Sequence, residues 1–321
     1  MKIKKLKGFG INVELYHKDK ESLDIYIKTL TELRVEWVRL MFDFLNPIDF
    51  KWFEYFIQGC KKNNIKILGL LLNNVHGLIH KSLIPHFFNT TIYDEQKKFN
   101  SFIKHVVQRF KKNIVYWQIL NEVNTIRFWG KLPNPVEYTR FLMTSSQIIQ
   151  SIDKDAKILF GSILGHDKNI LIPFQPCHFF RDSMKLGAGD YFHIASFHPY
   201  FLDCYISFNG TSHYLNMIRK NLEKIKLLKS TYKKPIWITE FGICPRWVKV
   251  NAKEIAFIYW NAYLYFKKHN MPLFLWQLTD TRIHIYLRGW TERYFGLLSE
   301  ELQRKKVYNE LVKLINKNNP P

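Results

Sequence analysis

The sequence predicts a (β/α)8 barrel, in which parallel strands alternate with helices and close around one core. Apolar runs and amphipathic stretches alternate eight times along the 321 residues. The strand runs are hydrophobic throughout instead of alternating with polar residues, as expected for parallel strands that helices cover. No shift in composition marks a linker, so we expect residues 1–321 to form a single barrel domain. A doubly wound sheet is the structural alternative, but it seldom needs eight regular units.

The predicted strands are short apolar runs bounded by polar or turn residues. They extend from about Gly8 to Leu15, Glu36 to Phe42, Ile65 to Leu72, Ile114 to Leu120, Lys157 to Ser162, Tyr191 to Phe197, Pro235 to Thr239 and Pro272 to Trp276.

The predicted helices lie where apolar residues recur at intervals of three and four. The first helix, at about 19–34, shows this spacing at Leu23, Ile27 and Leu30. Asn134 and Pro135 begin the helix after the fourth strand, because asparagine caps helix N-termini and proline suits the first helical position. The other helices are expected at about 47–63, 94–112, 173–186, 212–232, 252–269 and 303–316.

Polar residues gather at the carboxyl ends of the predicted strands, where active sites lie in this fold. In chain order they are Asn12, Glu14, Arg39, Asn73, Asn74, Asn121, Glu122, Ser162, His198, Tyr200, Glu240, Trp276 and Gln277. A hydrophobic barrel has no packing reason to collect such residues on one rim. The pattern therefore predicts a functional site there.

Two strands, the fourth and the seventh, end in glutamates, which are Glu122 and Glu240. These strands lie on roughly opposite sides of an eight-stranded barrel, so the two carboxylates are expected to face one another across a cleft. Cleavage of a glycosidic bond needs one carboxylic acid to protonate the leaving oxygen and a second carboxylate beside the anomeric carbon. We interpret Glu122 as the general acid/base and Glu240 as the nucleophile.

The neighbouring polar residues suit substrate binding around this pair. Asn121 is expected to hydrogen-bond the sugar hydroxyl beside the anomeric carbon. Arg39 and Tyr200 are expected to hold Glu240 ionised by charge and hydrogen bonding. His198 would orient a sugar hydroxyl or tune the acid. Trp276 would form an aromatic floor under the sugar.

With these residues assigned, nearly the whole chain resembles clan A glycoside hydrolases, barrels with the acid/base and nucleophile at the ends of strands four and seven. Five motifs occur in the family's order: Arg39, Asn121-Glu122, His198-Pro199-Tyr200, Glu240 and Trp276. The carboxyl end, from Tyr294-Phe-Gly-Leu-Leu onward, looks like the closing segment of cellulase-like and xylosidase-like members. Each motif alone is weak, but five in order on the expected strands are a strong signal.

The resemblance implies hydrolysis with retention of anomeric configuration and needs no metal or organic cofactor. Retention requires carboxyl groups about 5–5.5 Å apart, whereas inversion requires roughly 6.5–9.5 Å. One departure is Val123, since many members have proline after Asn-Glu. Some members lack that proline, so the departure makes the family within the clan harder to assign but argues little against the activity.

Several loop residues are candidates for substrate contacts, with ordinary loop packing as the alternative. Trp129, Trp247 and Trp290 would line outer subsites, and Glu14 and Asn74 would contact sugar hydroxyls. Asp280, Arg282 and His284 would shape the cleft. His76, His80 and His86 do not have a recognisable metal spacing, so we predict no metal site.

The formal net charge is +21 at pH 7, which raises the question of an anionic partner. The basic residues are mostly lysines scattered over helices, and no motif for reading bases accompanies them. We interpret them chiefly as a solvated surface and expect no specific nucleic-acid partner. Attraction to anionic polymers or the cell envelope stays open.

The four cysteines, Cys60, Cys177, Cys204 and Cys244, lack metal-site spacing, and the sequence cannot pair them. No signal peptide is visible in the chain as given, so a cytoplasmic location is the default expectation. No apolar run approaches the ~20 residues of a membrane span.

The leading hypothesis is a retaining glycoside hydrolase that acts on β-linked oligo- or polysaccharide. Transglycosylation by the same residues is a second hypothesis, and a non-catalytic barrel that binds carbohydrate or a polyanion is a third. The sequence does not reveal the sugar, the linkage, endo or exo action, or the oligomeric state, because subsite loops decide specificity.

Overall fold

One sheet of parallel strands curls around the centre of the molecule. The computed structural model describes residues 5–44, 48–72, 96–129, 131–165, 176–200, 210–245, 250–281 and 294–318. The strands within these ranges are β1 Leu6–Val13, β2 Val35–Asp43, β3 Lys66–Leu72, β4 Tyr116–Ile119, β5 Lys157–Leu159, β6 Ile163–Leu164, β7 Ala195–His198, β8 Ile236–Phe241 and β9 Leu273–Leu275. Their order across the sheet is β5-β4-β3-β2-β1-β9-β8-β7-β6.

The fifth strand position holds two short strands: β5 lies within the predicted Lys157–Ser162, and β6 begins just after it. β5 pairs with β4, and β6 pairs with β7. A parallel bridge joins Leu159 to Ile194, and the Phe160 amide donates to the Ile194 carbonyl oxygen at 2.9 Å. β5 and β6 therefore act as one of eight strand positions, and the predicted (β/α)8 barrel is confirmed.

Helices follow the strands and cover the outside of the barrel. Those described are α1 Lys20–Glu32, α2 Phe50–Lys62, α3 Gln96–Phe110, α4 Ile126–Trp129, α5 Pro135–Ile152, α6 Pro176–Lys185, α7 Thr211–Tyr232, α8 Ala252–Lys268 and α9 Lys306–Asn318. The predicted cap of α5 is confirmed, because the Asn134 side chain accepts hydrogen bonds from the amides of Val136 and Glu137. Asp19, Asp49 and Asn251 cap α1, α2 and α8 in the same manner.

One predicted strand begins later than expected. The sixth predicted strand was placed from Tyr191, but residues Ala188–Tyr191 form a 3-10 turn and β7 starts at Ala195. The positive φ of Gly187, 84°, ends α6 and starts this turn. The apolar content of the segment indicated burial correctly without separating a turn from a strand.

An aromatic layer fills the lower, amino-terminal part of the barrel and is called the lower layer below. It consists of Trp37, Leu68, Tyr116, Leu159, Ile194, Trp237 and Phe274. The ring of Trp237 lies 4.9 Å from that of Trp37, 5.3 Å from that of Tyr116 and 5.9 Å from that of Phe274. These rings leave the opposite end of the barrel for polar residues.

Surface features of the described residues are consistent with the sequence. No described helix has the length and apolar character that a membrane span requires. Cys60 and Cys244 are both buried. Many lysines lie in last helical turns, such as Lys61 and Lys62 on α2 and Lys267 on α8. Cations there complement the helix dipole, which explains part of the positive charge structurally.

Candidate active site

A polar layer, called the upper layer below, occupies the barrel above the aromatic rings. It contains Asn12, Arg39, Gln118, Asn121, Glu122, Ser162, Ser196, His198, Thr239 and Glu240, all of them buried. The strands and the turns after them bring these residues from six positions of the barrel to one place. The structure therefore collects most of the polar strand ends that the sequence pointed to.

The two glutamates lie next to each other at the centre of this layer. One carboxyl oxygen of Glu122, one of Glu240 and a ring nitrogen of His198 all lie within 4.8 Å of one another. Both glutamates are only 5% exposed, so their side chains are almost fully buried. Like charges this close in a buried site favour a singly protonated pair.

Arg39 binds Glu240 and organises the residues around it. Its Nη1 atom lies 2.6 Å from Glu240 Oε1, and both side chains are buried. The other guanidinium contacts are Nη1 to Asn12 Oδ1 at 2.8 Å, Nη2 to Asn121 Oδ1 at 2.7 Å and Nε to Gln118 Oε1 at 2.9 Å. A planar guanidinium with four such acceptors has one orientation, so Glu240 is held by a fixed positive charge.

An irregularity in β8 aims the Glu240 side chain. β8 residues Ile238 and Phe241 pair with Leu273 and Leu275 of β9, so β8 contains one more residue than its partner over this stretch. Side chains in a regular strand alternate between the two faces. The extra residue lets Thr239 and Glu240 both contact the upper layer, as bulges beside active sites commonly do.

A turn with unusual backbone angles holds Glu122. Leu120 has φ 67° and Glu122 has φ 42°, which is the left-handed region that non-glycine residues seldom adopt. The hydroxyl of Ser162 accepts from the Glu122 amide at 2.9 Å and donates to Asn121 Oδ1 at 2.9 Å. Such conformations concentrate at functional sites, where surrounding contacts impose them.

His198 bridges the two glutamates. Its Nδ1 atom lies 2.9 Å from Glu122 Oε1 and 3.5 Å from Glu240 Oε2, and its Nε2 atom lies 2.9 Å from Thr239 Oγ1. The side chain is fully buried. Burial lowers the pKa of His198 to about 3, so the ring is neutral at ordinary pH.

Burial disfavours the charged form of a side chain. It therefore lowers the pKa of His198, which is charged when protonated, and raises the pKa of Glu240, which is charged when deprotonated. Burial raises the pKa of the Glu240 carboxyl above its ordinary value, and the nearby Glu122 carboxyl also raises this pKa. The Arg39 guanidinium lowers this pKa, but the net shift is upward. Burial and Glu122 therefore favour the protonated form of Glu240, whereas its contact with Arg39 favours the carboxylate.

Three more predicted binding residues lie at the rim of the upper layer. The Tyr200 hydroxyl donates to Glu240 Oε2 at 3.5 Å, and its ring packs edge-on against His198 and Phe295. Trp276 directly follows β9 and is half-buried, and its amide donates to the Phe241 carbonyl oxygen. Glu14, also half-buried, follows β1 at the same end of the barrel.

The structure gives packing or ion-pair partners to two of the predicted loop contacts. Trp129 was expected in a rim loop lining an outer subsite, but it belongs to α4, is 0% exposed and packs against Tyr138 and Phe141. Its apolar ring takes part in the core because α4 folds back onto α5. Asp280 was expected to shape the cleft, but Lys305 forms an ion pair with it at 2.9 Å and the Gly296 amide donates to it. Asp280 thus joins the segment after β9 to the residue before α9.

Other predictions fall outside the described residues. They concern Asn73, Asn74, His76, His80, His86, Trp247, Arg282, His284 and Trp290, together with Cys204 and the side chain of Cys177.

The sequence interpretation missed three residues of the upper layer. Gln118 donates to Ser196 Oγ at 3.2 Å and to the Leu120 carbonyl oxygen, and Ser196 donates to the Phe160 carbonyl oxygen. Thr239, which contacts His198, was treated only as a strand end. The available signal was a polar residue inside an otherwise apolar strand, since such a residue needs a buried partner.

Glu122, His198 and Glu240 also form a donor set of the kind that metal ions accept. Arg39 already forms an ion pair with Glu240, and Thr239 engages the second nitrogen of His198. A divalent cation at these atoms would lie close to the buried guanidinium charge, which opposes its binding. Among the residues that the structure describes, the site therefore fits a pair of carboxyl groups better than a metal centre.

Comparison with known proteins agrees with this geometry. A family model described as the glycosyl hydrolase catalytic core matches residues 179–271, a stretch that includes His198 and Glu240. No curated protein matches the chain.

Several solved structures share the fold. A family 39 glycoside hydrolase from Bacteroides cellulosilyticus WH2 superposes with a TM-score of 0.64 at 16% identity, over 97% of this chain and 64% of that one. The GH5_18 protein from Streptomyces cattleya gives 0.70 at 13% identity, over 98% and 80% of the two chains. The endo-β-1,4-mannanase from Thermotoga petrophila gives 0.66 at 14% identity, over 97% and 77%.

At such identities the structures establish the shared TIM-barrel fold. The family model matches less than a third of the chain, and over that stretch the chain is similar to the glycosyl hydrolase catalytic core. This chain spans less than two thirds of the length of the family 39 glycoside hydrolase.

Proposed function

We propose that this chain is a retaining glycoside hydrolase that cleaves β-glycosidic bonds, with Glu122 as general acid/base and Glu240 as nucleophile. One observation supports the proposal most strongly: two buried carboxyl groups have oxygens within 4.8 Å, and Arg39 binds only one of them. The short separation favours retention, because an inverting enzyme must leave room for a water between its carboxyl groups.

The asymmetry of the pair supports the two proposed roles. Arg39 stabilises negative charge on Glu240, so the proton of a singly protonated pair belongs on Glu122. In the first step Glu240 attacks the anomeric carbon and forms a glycosyl ester, while Glu122 gives its proton to the leaving oxygen.

The second step reverses these proton movements. Glu122, now ionised, takes a proton from water, and the oxygen of that water attacks the anomeric carbon. The ester bond to Glu240 breaks, its electron pair returns to the carboxylate, and the sugar leaves with its original configuration. Arg39 then again neutralises the charge of Glu240.

The other upper-layer residues suit binding and orientation of the sugar. We propose that Asn121, whose Oδ1 atom accepts from both Arg39 and Ser162, directs its amide NH2 group toward a hydroxyl beside the anomeric carbon. Tyr200 and Trp276 would border the sugar, with Trp276 as its aromatic floor. Glu14 and the undescribed Asn74 and Trp290 are proposed as further contacts.

A β-linked substrate is also proposed by analogy with proteins that share the fold. One of them is named an endo-β-1,4-mannanase, another an exo-β-1,4-mannosidase, and a third a β-xylosidase. These names include enzymes of internal and of terminal cleavage. A first panel of substrates should therefore contain several β-linked sugars, both as polysaccharides and as simple glycosides.

The test is hydrolysis of aryl β-glycosides, β-glucans, xylans and mannans by wild type, Glu122→Ala, Glu240→Ala and the exposed-site control Glu223→Ala. We expect both active-site variants to lose on the order of 10⁴-fold in kcat and the control to match wild type. Azide should rescue Glu240→Ala and yield a glycosyl azide of inverted configuration, because the small anion occupies the space of the carboxylate.

Other outcomes distinguish the rival hypotheses. Products extended by an added acceptor sugar would favour transglycosylation at the same site. Saturable sugar binding without turnover would favour a binding barrel, and salt-dependent retention on a polyanion without sugar turnover would favour the charge-based alternative. Unchanged turnover in both glutamate variants would refute the two-carboxylate assignment.

A further inference from the structure

We propose that Thr239 is a positioning residue whose hydroxyl holds His198 in the Nδ1–H tautomer, and that this tautomer keeps the proton of Glu122 on Oε2. The inference rests on the proposed function, in which Glu122 is the general acid. It adds a residue that does not touch the sugar but determines which Glu122 oxygen carries the proton.

The three side chains form a buried row of hydrogen bonds. Glu122 Oε1 lies 2.9 Å from His198 Nδ1, and His198 Nε2 lies 2.9 Å from Thr239 Oγ1. Both His198 and Thr239 are 0% exposed. A neutral imidazole has one N–H donor and one bare nitrogen acceptor, so each tautomer dictates the direction of both hydrogen bonds.

In the Nδ1–H tautomer every polar atom in this row of hydrogen bonds has a partner. Nδ1–H donates to Glu122, and the Thr239 hydroxyl donates to the bare Nε2. In the Nε2–H tautomer the bare Nδ1 would face a carboxylate oxygen, which has no proton to donate when Glu122 is ionised. The Thr239 hydroxyl would then need another acceptor, and no second contact is found for it among the described residues. An unpaired buried hydroxyl is costly.

The fixed tautomer has a consequence for the acid step. Because Oε1 already accepts from Nδ1–H, the proton of neutral Glu122 is directed to Oε2. In the other tautomer a proton on Oε1 would donate to the bare Nδ1 and be held away from the leaving oxygen. Neutral His198 supports this arrangement throughout the cycle, since its pKa is lowered by burial to about 3.

The test compares wild type with Thr239→Val, which removes the hydroxyl and retains a branched side chain, and with Thr239→Ser, which restores it. ¹⁵N NMR of the ligand-free protein, labelled at histidine, assigns the protonated nitrogen of His198. We expect Nδ1–H in wild type and Thr239→Ser, and a mixture containing Nε2–H in Thr239→Val.

Kinetics separate this role from a merely structural one. On the sugar that the substrate panel identifies, Thr239→Val should lose about tenfold or more in kcat/KM for methyl or oligosaccharide leaving groups, which need the proton. The loss should be less than about twofold for 2,4-dinitrophenyl glycosides, which leave without it. Thr239→Ser should behave as wild type on both.

Two results would overturn the proposal: Nε2–H in wild type, or an equal loss on both classes of leaving group. The absence of turnover by wild type would instead count against the proposed function. The NMR assignment needs no substrate, so it still decides the tautomer in that case.

Discussion

The two halves of the barrel interior use the same strands for opposite purposes. On β8, Trp237 packs in the lower layer and is 8% exposed, whereas Glu240, three residues later, lies in the upper layer and is 5% exposed. On β2, Trp37 and Arg39 make the same contrast two residues apart. Both layers are largely buried, but the lower layer buries mainly aromatic rings and the upper layer buries charged and polar groups.

The lower layer is stabilised by burial itself, since its aromatic rings lose contact with water. The upper layer is stable only when each charged or polar side chain keeps its partner, because a buried charge without a partner is strongly unfavourable. Changes in the lower layer should therefore affect the free energy of unfolding alone. Changes in the upper layer should affect activity as well.

The largest effect is expected from Arg39→Met. This change leaves the Glu240 carboxyl buried without a counter-charge and removes the partner of Asn12, Gln118 and Asn121. The free energy of unfolding should fall by about 3–5 kcal/mol, and kcat/KM should fall by at least about 100-fold. Urea unfolding and hydrolysis of the identified substrate measure the two losses.

Arg109→Met is the matched control for Arg39→Met. Arg109 forms an ion pair with Glu54 at 2.8 Å, and both side chains are more than two-fifths exposed. Exposed pairs contribute about 0–1 kcal/mol. Equal destabilisation by the two changes would contradict the assignment of the upper-layer network.

A loss confined to stability is expected from Trp237→Ala. Removal of this ring leaves a cavity against Trp37, Tyr116 and Phe274 and should lower the free energy of unfolding by about 3–5 kcal/mol. Activity per folded molecule should stay within about twofold of wild type, measured well below the unfolding temperature. A large drop in kcat with little loss of stability would mean that the two layers are not separable.

The smallest effect is expected in the pH dependence of kcat/KM. Since the pKa of Glu240 is raised above its ordinary 4.5, the acid limb should have its midpoint above pH 4.5. Activity is lost as pH falls through this midpoint, because protonated Glu240 cannot attack. In Glu122→Gln, assayed with a dinitrophenyl glycoside, the limb should move to lower pH, because the neighbouring acid that raises the pKa is gone. A limb that does not move would contradict this coupling.

The order of elements and the identity of the site residues could be predicted because both are local properties. An apolar run indicates a buried strand, and its end in a parallel barrel must lie at one rim. Arg39, Asn121, Glu122, His198 and Glu240 were found in this way. The strand β6 was not, because the predicted fifth strand ended at Ser162 and two apolar residues alone do not indicate a strand.

Packing decided the cases that the sequence left ambiguous. A tryptophan after a strand end suits a sugar platform or a core equally well, and Trp129 turned out to be part of the core. Gln118 and Thr239 resembled incidental polar residues until their partners Arg39 and His198 were known.

The sequence by itself determined the eight repeating units and the two strands that end in glutamate. Both follow from the positions of the apolar runs and their order along the chain. Only the tertiary structure decided that Asn12, Gln118 and Asn121 hold the Arg39 guanidinium beside Glu240, that β8 carries an extra residue, and that His198 joins both glutamates to Thr239. These contacts join residues far apart in the chain. Their geometry depends on how the strands are staggered around the barrel, which no local pattern contains.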